Sequence, residues 1–132
     1  MDWMTWYRGL VKPSWTPAPA TIGLIWNILY PIIFITFGYV FYQAARGNID
    51  RKRSIPFAIN LVANLMFTPL MFYLQNLPLA TIDILIVWGT ILWMMTAIWP
   101  TFRWVAVAQV PYLIWVSIAT ILQLSITLWN WQ

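Results

Sequence analysis

Long apolar runs separated by short polar segments form the pattern of this chain. Four runs are long enough to cross about 30 Å of hydrocarbon as helices, at 1.5 Å per residue. Their predicted bounds are 19–45, 55–75, 78–99 and 102–129. The runs lack the alternation of a membrane-spanning strand, which favours helices over a barrel. The pattern therefore predicts an all-α integral membrane bundle of four transmembrane helices, with a single domain over residues 1–132.

The connections and the basic residues predict the topology. Residues 76–77 and 100–101 are short links, so the helices that they join are antiparallel neighbours. An even number of spans places both termini on one side, with Arg8 and Lys12. The opposite side carries Arg46, Arg51, Lys52, Arg53 and Arg103. By the positive-inside rule, we expect the 46–53 loop in the cytoplasm and both termini on the opposite side.

Composition excludes several classes of protein. With 62% hydrophobic and 8% charged residues, the chain has too little polar surface for a soluble globule, so its main partner is membrane lipid. The net charge of +4 is concentrated around residues 46–53, where it predicts orientation and not nucleic-acid binding. The absence of Cys and His removes the usual nucleophile, general base and metal ligands. We predict neither catalytic residues nor a metal site.

A few polar residues interrupt the apolar runs. Asn60 and Asn64 are four residues apart and share one face of the second helix, while Asn27 and Asp83 lie in the first and third. They either form hydrogen bonds between helices or line a pocket for a mostly apolar ligand. Asp83 is a functional candidate because a carboxylate is costly inside a membrane. A structural role near the helix start is an equal alternative for it.

Several motifs resemble the TspO/MBR family of tryptophan-rich sensory and translocator proteins. Residues 6–15 read Trp-Tyr-Arg-Gly-Leu-Val-Lys-Pro-Ser-Trp, similar to the family's first loop. Further similarities follow in order along nearly the whole chain: Trp26-x-x-Leu29-Tyr30, Asn64 with Pro69 and Phe72, Ala80-x-x-Asp83, and Pro111-Tyr112-Leu113-Ile114-Trp115 followed by Ala119-Thr120 and Leu122.

The resemblance implies a membrane receptor or carrier, with a sensory or transport role, that binds a planar hydrophobic ligand below the first loop. A tetrapyrrole such as protoporphyrin is the expected ligand, without an obligatory cofactor, and some family members also promote its light-dependent breakdown. Family members commonly form homodimers. The pocket residues carried over are Lys12 in the lid, Trp26, Tyr30, Asn64, Trp115, Ala119 and Leu122.

Departures from the family pattern leave an alternative. The helix that precedes the first loop in the family has no counterpart in residues 1–5, so lipid, another subunit or nothing at all replaces that part of the pocket. We expect this chain to form a homodimer. A sterol is the less favoured ligand, since Leu124 and Leu128 replace the Tyr and Arg of sterol-responsive members. The alternative function is a structural or accessory membrane subunit that has lost ligand binding.

Overall fold

The fold is known from a computed structural model, which describes residues 3–130. This range contains α-helices and no strand. The helices are α1 (Trp3–Arg8), α2 (Pro19–Ala45), α3 (Ile55–Thr68), α4 (Leu77–Ile98), α5 (Arg103–Ala108) and α6 (Val110–Trp129). Four segments are long and apolar enough to span a membrane. The predicted class of four-span helical membrane protein is confirmed.

The first and third spans lie where the apolar runs predicted them. α2 has the predicted bounds and starts at Pro19, a residue suited to the first turn because its missing N–H would be unpaired there anyway. α4 starts and ends one residue earlier than predicted. The side chain of Asn76 caps α4 by accepting a hydrogen bond from the Leu79 N–H at 3.0 Å.

The sequence predicted a uniform helix to residue 75 for the second span, and the structure differs from this prediction. After α3 the chain forms a π-helical turn, Pro69–Tyr73, in which the Leu74 N–H donates to the Pro69 carbonyl at 2.9 Å. Pro69 has no N–H for the regular ladder, which accounts for the change at this residue. The helical segment ends at Tyr73, and Gln75 beyond it has a φ of 51°. The π turn turns Met71 and Phe72 toward the end of the bundle where α1 lies.

The fourth span is also broken where the sequence predicted one helix. α5 ends at Ala108 and α6 starts at Val110, with Gln109 between them. Pro111 lacks an N–H and clashes with the preceding turn, which disrupts the ladder there. The buried Gln109 side chain donates from Nε2 to Thr36 Oγ1 at 2.8 Å. The break therefore also fastens the fourth span to α2.

The segment before the first span contains α1, which the sequence analysis treated as part of a loop. Its six residues are too few to show a periodic pattern. The ring centroids of Trp3 and Tyr7 lie 5.1 Å and 5.8 Å from that of Phe72, both edge to face. α1 therefore packs on the π turn, and together with residues 9–18 it forms what we call the lid.

Two hydrophobic clusters hold the bundle together. α3, α4 and α6 pack side by side, while α2 contacts α5 and the 3₁₀ turn Arg51–Ser54. The larger cluster occupies the half near this turn and includes Phe37, Phe57 and Ile91. The smaller one lies under the lid, around Tyr7 and Met71. The space between the clusters is not filled by side chains.

Candidate ligand-binding cavity

A cavity of about 470 Å³ occupies this space, between α2, α3, α4 and α6 and below the lid. Its volume falls within the range of small-molecule sites. Six of the residues predicted for the pocket line it: Trp26, Tyr30, Asn64, Trp115, Ala119 and Leu122. Residues more than ninety positions apart in the sequence thus meet around one space, as the resemblance implied.

The cavity is closed on one side and open on another. Its α4 and α6 surfaces consist of buried residues such as Ile84, Val87 and Val116. On α2 and α3, by contrast, Gly23 and Thr68 both line the cavity and are exposed on the outside of the bundle. The opening therefore lies between α2 and α3, along a surface that faces the bilayer.

Stacked aromatic rings form the α2 side of the cavity. Trp26 and Tyr30 are four residues apart on the same helix face, with ring centroids 5.1 Å apart and planes 27° from parallel. Tyr30 stacks in turn on Phe34, at 5.6 Å and 12°. Flat π-surfaces in this arrangement suit contact with another flat conjugated ring.

The indole ring of Trp115 lines the cavity from the opposite side. Its side chain is 7% exposed, and its Nε1 is fully buried without a hydrogen-bond partner among the described residues. A buried indole N–H normally has an acceptor, and leaving it unpaired costs about 1–3 kcal/mol. This N–H has no surface open to the cavity, so Trp115 presents its ring there and not its donor.

A chain of hydrogen bonds forms the floor. Tyr30 Oη donates to Asn64 Oδ1 at 3.3 Å, and Asn64 Nδ2 donates to Tyr112 Oη at 2.7 Å. Tyr112 Oη donates to Asn60 Oδ1 at 2.9 Å, and Asn60 Nδ2 donates to Thr90 Oγ1 at 3.0 Å. The chain runs from α2 through α3 and α6 to α4, so it joins all four membrane spans. It also fixes Tyr30 and Asn64 at the cavity surface.

The lid is stabilised around its one lysine. Lys12 Nζ donates to the carbonyls of Tyr7 at 2.8 Å and Leu10 at 3.1 Å, and lies 4.7 Å from the centroid of the Tyr7 ring. Burial lowers the pKa of Lys12 and raises the pKa of Tyr7. The cation thus adds a second donor to the Tyr7 carbonyl at the end of α1, which also accepts from the Leu10 N–H at 3.1 Å.

Four predicted site residues do not line the cavity. The Lys12 amine donates to backbone carbonyls of the lid. Asn60 belongs to the hydrogen-bond chain of the floor but does not line the cavity. Asn27 is exposed on the outer surface of α2, because one residue along a helix turns the side chain about 100° from that of Trp26. Asp83 is buried beside a separate, otherwise apolar groove between α3 and α4, and its Oδ2 has no partner among the described residues.

Several lining residues under the lid are not among those predicted from the sequence. Tyr7 and Phe72 line the cavity from α1 and the π turn, as does the buried Met71. Pro69 lacks an N–H for the helical ladder, but the direction in which the following side chains point depends on the π turn. Gln123 also lines the cavity, and its Nε2 donates to Thr127 Oγ1 at 3.2 Å.

Comparison with known proteins agrees with this architecture. The model of the TspO/MBR family matches residues 1–129. The tryptophan-rich protein TspO of Bacillus cereus is 37% identical over 83 residues, which cover 63% of this chain and 53% of that protein. The human translocator protein is 31% identical over 91 residues, covering 65% and 52%.

A third relative, the protein CrtK of Rhodobacter capsulatus, is 26% identical over 83 residues, covering 63% of this chain and 52% of that protein. The aligned part of the chain thus spans about half the length of each of these curated relatives. The match to the family model extends over almost every residue, including the lid, the cavity and all four spans. The chain belongs to the TspO/MBR family.

Proposed function

We propose that this protein is a membrane receptor or carrier for a planar hydrophobic ligand of the tetrapyrrole class. The observation that carries the proposal is the cavity itself, where the stacked Trp26 and Tyr30 lie on one side and the indole ring of Trp115 on the other. A flat conjugated ring in this space contacts aromatic surfaces on both sides.

Protoporphyrin is the representative of this class that we propose as the probe. Its macrocycle is flat and apolar, and its two carboxylates are hydrogen-bond acceptors. A bilayer-dissolved molecule of this kind reaches the cavity through the opening between α2 and α3, while the lid covers the aqueous end. At that entrance the exposed residues Gly23 and Thr68 present few polar groups and no charge.

Recognition by stacking and shape follows from the residues available. The chain has no His or Cys to ligate a haem iron, and the weaker alternatives at the cavity surface are Met71 and the tyrosines at positions 7, 30 and 73. The proposed ligand is therefore bound through its ring and its carboxylates and not through a central metal. Any light-dependent breakdown of the ligand is a further proposal, which would involve Trp26 and Trp115.

An absorbance titration of the purified protein with protoporphyrin tests the proposal. We expect a saturable spectral shift with one ligand per chain, over and above partition into detergent alone. A change that rises without saturation, equal to that of protein-free detergent, would overturn the proposal and favour the accessory-subunit alternative.

A further inference from the structure

Basic residues are concentrated at the end of the bundle opposite the lid. This set, which we call the basic cluster, consists of Arg46, Arg51, Lys52, Arg53 and Arg103. Asp50 is the only acidic residue at this end, since the other carboxylate among residues 3–130, that of Asp83, lies inside α4. The Asp50 carboxylate caps the 3₁₀ turn by accepting a hydrogen bond from the Lys52 backbone N–H at 3.0 Å. The cluster therefore carries far more positive charge than the protein itself balances.

Contacts between elements gather part of the cluster around the end of α4. The 3₁₀ turn Arg51–Ser54 packs against both α2 and α4. The half-buried Arg53 donates from Nη1 to the carbonyl of Ala97, in the last turn of α4. The guanidinium of Arg103 lies 5.2 Å from the centroid of the Trp99 ring, directly after α4. Arg53 and Arg103 thus lie on either side of one helix end.

Aromatic rings hold two of the guanidinium groups in place. Arg103 lies over Trp99, and the guanidinium of Arg46 lies 5.8 Å from the centroid of the Tyr42 ring. A guanidinium over a ring contacts it through its flat face, while its N–H donors point outward from its edge. These donors are therefore oriented and available to an anion that approaches from outside the bundle.

The surroundings of the cluster place it at the boundary between hydrocarbon and water. Trp99, Trp104 and Tyr42 are exposed around it, and indole and phenol rings prefer the depth of lipid headgroups. The exposed and apolar Ile55 follows the 3₁₀ turn immediately, at the start of a span. The anions present at this depth are the phosphates of lipids. A soluble acidic protein would meet the same charges only after displacing those headgroups.

We propose that the basic cluster binds the headgroup of an anionic phospholipid, with the phosphate held between Arg53 and Arg103. The fork of N–H donors on a guanidinium matches two oxygens of a phosphate, and Arg53 keeps donors beyond the one that contacts Ala97. A zwitterionic phospholipid offers the same phosphate but adds an ammonium group, which the remaining cations of the cluster repel. A headgroup with a net negative charge, such as phosphatidylglycerol, is therefore selected.

The lid end of the bundle has no comparable cluster among the described residues. It carries Arg8 and Lys12, and the Lys12 amine donates to the carbonyls of Tyr7 and Leu10. The asymmetry supplies an internal control, because Arg8 is an exposed arginine remote from the proposed lipid site. The inference rests on the basic cluster and not on the cavity, so it stands or falls separately from the proposed function.

Competition between two lipids tests the proposal. Dioleoylphosphatidylglycerol and dioleoylphosphatidylcholine have the same acyl chains and differ only in the headgroup. They are added in equal amounts to the purified protein in detergent, and native mass spectrometry counts the adducts of each lipid. We expect the phosphatidylglycerol adduct to be about tenfold more abundant. The preference should shrink as the salt concentration rises, because the charges are exposed.

Substitution of the two arginines tests where the lipid binds. Arg53→Gln combined with Arg103→Gln should reduce the preference to about twofold, whereas Arg8→Gln should leave it at the parent value. Arg53→Lys combined with Arg103→Lys retains the charge but loses the fork, so an intermediate preference is expected. Circular dichroism checks that helix content is unchanged. Arg103→Gln alone provides a milder variant, since Arg103 contacts Trp99 at the surface, and it should reduce the preference about threefold.

Equal adducts of the two lipids on the parent protein would overturn the proposal. An unchanged preference in both Gln variants of the cluster, or an equal loss in Arg8→Gln, would overturn it too. Inorganic phosphate, compared with chloride at equal ionic strength, separates a lipid site from a site for a free anion. We expect phosphate to leave the phosphatidylglycerol adduct unchanged. Its displacement by phosphate would show that the cluster binds a soluble anion and not a lipid.

Discussion

Asn130 and Val11 form a reciprocal pair of hydrogen bonds across the end of the bundle. The Val11 N–H donates to Asn130 Oδ1 at 3.0 Å, and Asn130 Nδ2 donates to the Val11 carbonyl at 2.9 Å. The Asn130 side chain, at the end of α6, thus both donates to and accepts from one residue of the lid backbone, as a paired residue of a neighbouring β-strand would. It is a direct polar link between the lid and the last helix.

Removal of this link should loosen the lid without unfolding the bundle. Asn130→Ala eliminates both bonds, together worth about 2 kcal/mol, so we expect a porphyrin ligand to dissociate up to about thirtyfold faster. Stopped-flow fluorescence measures this rate. Asn48→Ala is the control, because Asn48 is exposed at the opposite end and its side chain donates to Gln43, away from the lid. Equal rates in the two variants would mean that the lid does not govern ligand release.

The hydrogen-bond chain under the cavity should contribute to stability through Tyr112. Tyr112 is fully buried, and Tyr112→Phe removes the hydroxyl that Asn60 and Asn64 both contact. Leaving the two amides partly unpaired should cost about 1–3 kcal/mol. Thermal unfolding in detergent checks this, with Tyr73→Phe as the control because Tyr73 is 74% exposed. An equally low midpoint of thermal unfolding for Tyr73→Phe would show that the loss of stability is not specific to the hydrogen-bond chain.

The nature of the ligand contacts predicts a preference among tetrapyrroles. Without His or Cys, the protein should bind metal-free protoporphyrin at least as tightly as haem. Parallel titrations give the two dissociation constants, and electron paramagnetic resonance of the ferric haem complex reports on the iron ligands. A spectrum with clear axial ligation by the protein, together with tighter haem binding, would contradict recognition by stacking and shape.

The two cavity tryptophans should account for most of the fluorescence quenching by the ligand and for any light-dependent decay of it. Trp26→Phe combined with Trp115→Phe keeps most of the ring volume, so the fold should persist. We expect a smaller quenching of tryptophan fluorescence by porphyrin, and loss of any light-dependent decay of its absorbance. The double variant Trp88→Phe and Trp93→Phe is the control, since these two side chains are 37% and 47% exposed on the outer surface of α4. Undiminished photochemistry in the cavity variant would exclude a role for Trp26 and Trp115.

The spans could be predicted from the sequence because continuous apolar runs need only length to be recognised. The side of a helix that faces the interior could not be predicted in the same way. α2, for example, is apolar almost all round its circumference. The pattern alone made both Asn27 and Asn64 candidates for a polar lining, although one faces outward and the other lies at the cavity floor. For Trp26, Tyr30 and Trp115 the family resemblance, not periodicity, supplied the correct side.

The irregular segments were the other part of the fold that could not be predicted from the sequence. Two spans depart from regular helix at Pro69 and beside Pro111, where the missing N–H interrupts the ladder, whereas Pro31 lies inside the unbroken α2. The outcome at each site depends on its neighbours. A π turn follows Pro69, where Phe72 packs against α1, whereas a break precedes Pro111, where Gln109 bonds to Thr36. These tertiary contacts are not encoded in any local pattern.

The central claim is that the ligand occupies the cavity between α2 and α6, and a cavity-filling variant tests it most directly. Ala119 lines the cavity, while its neighbour Ile118 is 39% exposed on the outside of α6. The measurement is the protoporphyrin dissociation constant of Ala119→Phe beside that of Ile118→Phe. We expect the first substitution to weaken binding at least tenfold and the second to leave it within about twofold of the parent protein. Equal affinity in the parent and both variants would contradict the assignment of this cavity as the binding site.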